Sequence, residues 1–388
     1  MRKQRNDKKE QGLDFSEKLK LEAEELLLKF KEEKLSTVDS KGLSTILTNR
    51  VVLKKYEDGS EYEGQIASNG SREGFGVMKF SNGNIYFGGW KSDLFHGKGI
   101  YLFENGERYE GGLAMNRKTG QGKFFYINGS IYSGEWHNDE KNGKGEIHMK
   151  EGTNFTGIWK NGFLEGEGTG VYYDDSEYIG TFSKGVRAGR GTLVYKKNTF
   201  IEGQWINDQC NGLISVIYQN GDIYKGDSAQ GKRSGKGLYR WRDGSEYEGF
   251  WENDYPNGMG RMEYTNGDIY EGELINGRKS GRGVYKTKLG VLYRGNWKRD
   301  MMHGMGTLKF RDGSFYVGGW FEGMMSGNGD YHYPDGEKYS GSWLNNKKNG
   351  YGVFSWISGE KLIGEYLLDE LINGELIKNN GQKLAINK

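Results

Sequence analysis

Proline and cysteine are almost missing from this 388-residue chain, which has 2 Pro and a single Cys, Cys210. One thiol excludes a disulfide scaffold and a cysteine-rich zinc site. Two prolines exclude a proline-rich linker or a collagen-like chain. Apolar residues make up only 34% of the total, too few for a thick core. No apolar run is long enough for a membrane-spanning helix. Charge of one sign is lacking too: 55 Lys and Arg against 53 Asp and Glu leave +2, so no global field recruits nucleic acid. The opening Met1-Arg2-Lys3-Gln4-Arg5 leads into charge. No secretory leader is expected, and the expected setting is soluble and intracellular.

What is abundant is glycine, 65 residues, together with 26 Tyr, 18 Phe and 10 Trp. A disordered chain would lack those rings. The two groups recur in register. A Tyr-x-Gly motif begins at Tyr62, Tyr86, Tyr109, Tyr132, Phe155, Tyr178, Ile201, Tyr224, Tyr247, Tyr270, Tyr293, Tyr316, Tyr339 and Leu362; the first step is 24 residues and every later one is 23. Such strictness predicts a stacked array, because an insertion would break contact with both neighbours.

In the unit from Tyr247 to Ile269, Tyr247, Gly249 and Trp251 alternate and share one face of a strand. Gly258, Gly260, Met262 and Tyr264 alternate on a second strand. The segment Asn253 to Asn257 is expected to be the loop between them, and Asn266-Gly267 a two-residue hairpin turn. Glycine at alternating strand positions implies rings lying on neighbouring backbone, where a Cβ would clash.

These columns resemble the MORN-repeat family (membrane occupation and recognition nexus). The family pattern is Tyr-x-Gly-x-Trp, then Gly-x-x-His-Gly-x-Gly, then Asp-Gly. The fullest matches are Tyr293-Arg294-Gly295-Asn296-Trp297 with His303-Gly304-Met305-Gly306, and Tyr86-Phe87-Gly88-Gly89-Trp90 with His96-Gly97-Lys98-Gly99. The resemblance implies an all-β repeat fold: an elongated, single-layer, twisted antiparallel sheet of stacked 23-residue hairpins, roughly 125 Å long at ~4.8 Å per strand.

The expected organisation has a charged tail over residues 1–13, an amphipathic helix over 14–35, and a linker with a first edge strand over 36–55. The repeat array follows over 56–364 and a C-terminal cap over 365–388. The helix rests on an Asp14-x-x-Glu17 capping box and one apolar face: Phe15, Leu19, Ala23, Leu26, Leu27 and Phe30. Two roles stay open for it: cover for the open sheet edge, or a partner or dimer helix. Repeats five to seven break the pattern at Asp174-Asp175-Ser176, at Lys196-Lys197-Asn198, and at Ile201 and Ile214.

Catalytic signatures are missing. No phosphate-binding Gly-x-x-x-x-Gly-Lys-[Ser/Thr] motif occurs, and His96, His137, His148, His303 and His332 have no metal-ligand spacing. Some enzymes carry MORN repeats beside a lipid-kinase or methyltransferase domain, for which too few residues lie outside the repeats. The expectation is a protein that is not an enzyme, with no cofactor, metal, nucleic acid or small-molecule substrate. Two candidate binding features remain. Met301-Met302 and Met324-Met325, 23 residues apart, with Tyr255, suggest an adaptable apolar partner surface. Arg117, Lys118, Arg187, Lys232, Arg233, Lys236, Arg278 and Lys279 suggest a basic rim for acidic lipid or an acidic protein. The resemblance implies a structural scaffold of the cytoplasm and cytoskeleton. The leading expectation places it in a ciliary or flagellar axonemal complex such as the radial spoke head. Its partners there would be other structural proteins, including a homo- or heterodimer with another MORN protein. The alternative is a membrane-apposed cytoskeletal scaffold on acidic phospholipid.

Overall fold

The computed structural model describes residues 50–195 and 198–387. They form an open antiparallel sheet of thirty strands, with no helix among the described residues. The chain divides into two compact units, Met1–Lys197 with Trp205–Asp208, and Asn198–Gln204 with Gln209–Lys388. In the first, β1 (Arg50–Lys55), β2 (Glu61–Ile66), β3 (Arg72–Lys79), β4 (Ile85–Lys91), β5 (Leu94–Leu102) and β6 (Arg108–Ala114) open a meander in which each strand pairs with the next. The second unit repeats the scheme and ends in hairpins at Lys361–Leu367, Glu370–Ile377 and Lys383–Asn387. The helix expected over 14–35 lies outside the described residues.

In the repeats that carry the full pattern, period-2 alternation puts one tyrosine, one tryptophan and two glycines on the same face. In the Tyr247 repeat, Gly249 lies opposite Gly260 across the hairpin. The Tyr247 ring fills the space that two missing Cβ atoms leave, and its hydroxyl donates to the Phe250 carbonyl at 2.9 Å. Trp251 meets Tyr247 edge-on at 5.4 Å and Tyr224 of the preceding repeat at 5.4 Å. Its indole N–H donates to the Gly237 carbonyl at 3.2 Å. Seven of the eight tryptophans in this column donate the same way. The core is therefore a ladder of edge-to-face rings on one face, an arrangement in which ring quadrupoles attract.

The two hairpin connections are the reverse of the expected ones. The strands Glu246–Glu252 and Tyr255–Glu263 are joined by two residues only, Asn253 (φ 47) and Asp254 (φ 71). Two positive φ values match a right-twisted hairpin, and Asn and Asp tolerate them. The longer connection is at Asn266-Gly267. There Gly267 N donates to Tyr264 O (2.8 Å) and Tyr264 N donates to Asp268 O (2.9 Å), closing a three-residue loop. Asn266 does not take a positive φ, since its carboxamide accepts from Asp268 N at 3.0 Å. Gly258 also differs from the expectation. It has φ 88 at the strand irregularity after Gly249, so this column serves backbone conformation, whereas the Gly260 column serves ring packing.

Candidate functional site

Alternation also sorts the candidate binding residues, and it splits every adjacent pair that sequence reading had grouped. Residues directly opposite in a hairpin share a face. Met302 lies opposite Trp297 and Met325 opposite Trp320, so both are half-buried on the tyrosine face. Met301 lies opposite Lys298 and Met324 opposite Phe321, on the reverse face. The expected four-methionine ladder is thus two separate pairs. Tyr255, opposite Glu252, is exposed on the reverse face of its own hairpin.

The basic residues divide in the same way. Lys118, Arg187, Arg233 and Lys279 occupy the tyrosine face. Arg233 lies 4.4 Å over the Trp251 ring and 5.0 Å over Tyr239. Arg187 is 4.5 Å over Trp205, Lys279 is 4.4 Å over Tyr285 and Lys118 is 5.1 Å over Trp136. Burial against the rings holds the ammonium pKa values of Lys118, Lys141, Lys279 and Lys348 below the ordinary lysine value. These cations carry built-in partners. Asp254, in the next two-residue turn, accepts from Arg233 N (2.9 Å) and Arg233 Nε (3.2 Å), and its own N–H donates to Arg233 O (3.1 Å). Asp93, Asp139, Asp208, Asp300 and Asp369 accept the corresponding backbone N–H of Arg72, Lys118, Arg187, Lys279 and Lys348. Their stem packing and ring contacts make these cations part of the fold.

Arg117, Lys232, Lys236 and Arg278 point to the reverse face. Near Arg278, a pocket of about 640 Å³ is lined by Tyr255, Ile275, Ser280, Lys298 and Arg299. It brings Arg278, Lys298 and Arg299 together.

One apolar feature of that unit went unread in the sequence. Tyr255, Ile275, Met301, Phe321, Leu344 and Leu367 are exposed side chains at reverse-side hairpin ends, paired across their hairpins with Glu252, Arg278, Lys298, Met324, Lys347 and Glu370. Ile275, Phe321, Leu344 and Leu367 share the fifth position after the start of the repeat motif, which holds Glu252 and Lys298 elsewhere in this unit and Lys91, Ala114, His137, Lys160 and Ile206 in the first. Reading columns instead of adjacent residues would have found them. The six side chains make one rim apolar, with Arg278, Lys298 and Lys347 interleaved among them.

Comparison with known proteins bears on the fold first. The model of the family described as MORN repeat matches thirteen segments, from 62–85 to 339–361. No match was found among curated proteins. Among solved structures, the TCP domain of SAS-4 (dCPAP) from Drosophila melanogaster, in complex with a proline-rich motif of Ana2 (dSTIL), is similar at 17% identity. That similarity covers 40% of this chain and 85% of the other, at a TM-score of 0.28. The TCP10 domain of Danio rerio CPAP, in complex with a STIL peptide, is 10% identical over 63% of this chain and 97% of its own, at 0.27. A streptogramin B lyase is 13% identical over 73% and 87%, at 0.13.

Proposed function

Because the chain belongs to the MORN-repeat family, we propose that it is a non-enzymatic scaffold that holds other proteins in a large assembly. The observation that carries this reading is the division of labour between faces. Tyrosine, glycine, tryptophan and the ring-stacked cations are consumed by the fold, while the apolar rim from Tyr255 to Leu367 is exposed without serving the core. Burying such side chains contributes about 1.5–3 kcal/mol each before association costs. The assembly we propose is a ciliary or flagellar axonemal complex such as the radial spoke head, with another MORN protein or a second copy among the partners. Its support is the resemblance of a chain made mainly of repeats to the members of such complexes. Detergent-extracted axonemes should retain the tagged protein. Met301→Ser with Phe321→Ser should leave the melting temperature within a degree or two and release the protein from its assembly. Unchanged co-purification of this variant would sink the reading.

A second reading has its own observation. Arg278, Lys298 and Arg299 cluster beside the same rim, a combination suited to an acidic membrane surface. Flotation with vesicles containing anionic lipid should then weaken with salt. Replacing the three cations by Gln should abolish it, and equal flotation of variant and wild type would reject the membrane-apposed alternative.

A further inference from the structure

The reverse face of the first unit is apolar at one end and polar beyond it. In β3, β4 and β5 it carries Phe75, Val77, Phe87 and Ile100. One and two repeats later the same columns hold Lys98 and Gln121, Lys123 and Glu146, and Glu110 and Ser133. Burial follows the same division. Val77 and Phe87 are 8% and 7% exposed, while Ile179, in the column of Phe87, is 55% exposed. Phe75 and Phe87 meet edge-to-face at 6.2 Å. Together with Ile100, Lys98, Lys123 and Glu110 they line a groove of about 510 Å³. A sheet face that is apolar over only β3 to β5 is matched to a covering element of limited length.

The sequence upstream of β1 has the complementary pattern. Residues 14–34 place Phe15, Leu19, Ala23, Leu26, Leu27 and Phe30 on one helical stripe, with seven Asp or Glu and five Lys around it. Residues 35–49 connect this stretch to β1. Fifteen residues reach about 50 Å when extended. The distance across the sheet from β1 to β5 is four strand steps, about 19 Å. The connection is therefore long enough, and it joins β1, two strands from β3. Glutamates such as Glu24 and Glu25 beside the stripe complement Lys98 and Lys123 of the groove.

We propose that residues 14–34 are the occupant of this groove, packing their apolar stripe against Phe75, Val77, Phe87 and Ile100 of the same chain. The segment covers a face of the sheet, not its first edge. The test uses the full chain with benzoylphenylalanine in place of Phe75. Irradiation should give a product of monomer mass whose cross-link maps within residues 14–34. Hydrogen exchange over 14–34 should be at least tenfold faster in a Leu19→Ser, Leu26→Ser, Phe30→Ser chain, and its cross-link yield at least tenfold lower. Tryptophan fluorescence of the array should be the same in both chains. A cross-link at dimer mass would assign the groove to a second copy. That outcome, the lack of an intrachain link to 14–34, or equal exchange in the two chains would each overturn the proposal.

Discussion

At the scale of single residues, the repeat depends on a tyrosine ring laid over a pair of glycines. An added Cβ at Gly295 would stand 2.5 Å from the Tyr293 hydroxyl and 2.6 Å from Gly306 Cα. The second obstacle is backbone and cannot swing away. Gly295→Val should therefore cost at least the ~1–3 kcal/mol of ordinary overpacking, read as a lowered melting temperature. Unchanged melting would refute ring-over-glycine packing. Repeats that lack the tyrosine supply another filler. An added Cβ would stand 2.8 Å from Leu164 Cδ1 at Gly157, 2.6 Å from Ile214 Cγ2 at Gly203 and 2.7 Å from Leu371 Cδ1 at Gly364. Ile214 replaces a column glycine because Ile201 brings no ring to need it. In repeat seven the lost ring and the lost glycine are thus paired, while in repeat five the Phe155 ring lies against Gly170 and Leu164 against Gly157.

At the scale of the element, each two-residue turn ties itself to the hairpin before it. In six repeats the second turn residue is Asp and the residue 21 positions earlier is Arg or Lys; where Phe95 and Met325 stand instead, the turn has Asn116 and Asn346. The carboxylate thus serves two partners, a backbone N–H and a cation, and Asn keeps the first. Asp254→Ala should lose the bond from Arg233 N and place a Cβ-bearing residue with no side-chain acceptor at positive φ, costing about 1–2 kcal/mol. Asp254→Asn should stay within about 0.5 kcal/mol of wild type. Equal losses in thermal melts of the two variants would mean that the backbone clamp is not the important interaction.

At the scale of the whole molecule, the buried rings set the response to pH. Burial raises the tyrosine pKa values, to about 12 for Tyr247, Tyr293 and Tyr316. A raised folded value means that the native state keeps a proton that the unfolded state has lost. The stability each tyrosine contributes is full below about pH 10 and declines above it, at about 1.4 kcal/mol per pH unit per group. The buried lysines act in the opposite sense. Their folded values are lowered, so stability from them rises with pH up to the ordinary lysine value. Tyrosines outnumber them, so stability should fall steeply above pH 10. Tyrosinate absorbance should then appear together with loss of the β-sheet circular dichroism signal. Tyrosines ionising near pH 10 in a folded chain would contradict the buried ladder.

The repeat length, the ring and glycine columns, the all-β class and the family were legible in the sequence, because a stacked array repeats its contacts at every step and writes them as invariant columns. Turn types were not legible from Asn-Gly pairs. The distinction lies in which residues take positive φ, and Asn266 is held out of that region by its own side-chain hydrogen bond. The candidate surfaces were misread for a different physical reason. Arg117-Lys118, Lys232-Arg233, Met301-Met302 and Met324-Met325 each look like one patch along the chain. Strand alternation sends one member onto the rings and the other to the reverse face. Cross-strand register then decides which distant residues become neighbours. It lays Arg233 over Trp251 and beside Asp254, and sets Ile275, Met301 and Leu344 opposite Arg278, Lys298 and Lys347 on one rim, because the partners in a sheet are set by hydrogen-bonded pairing and not by proximity in the chain.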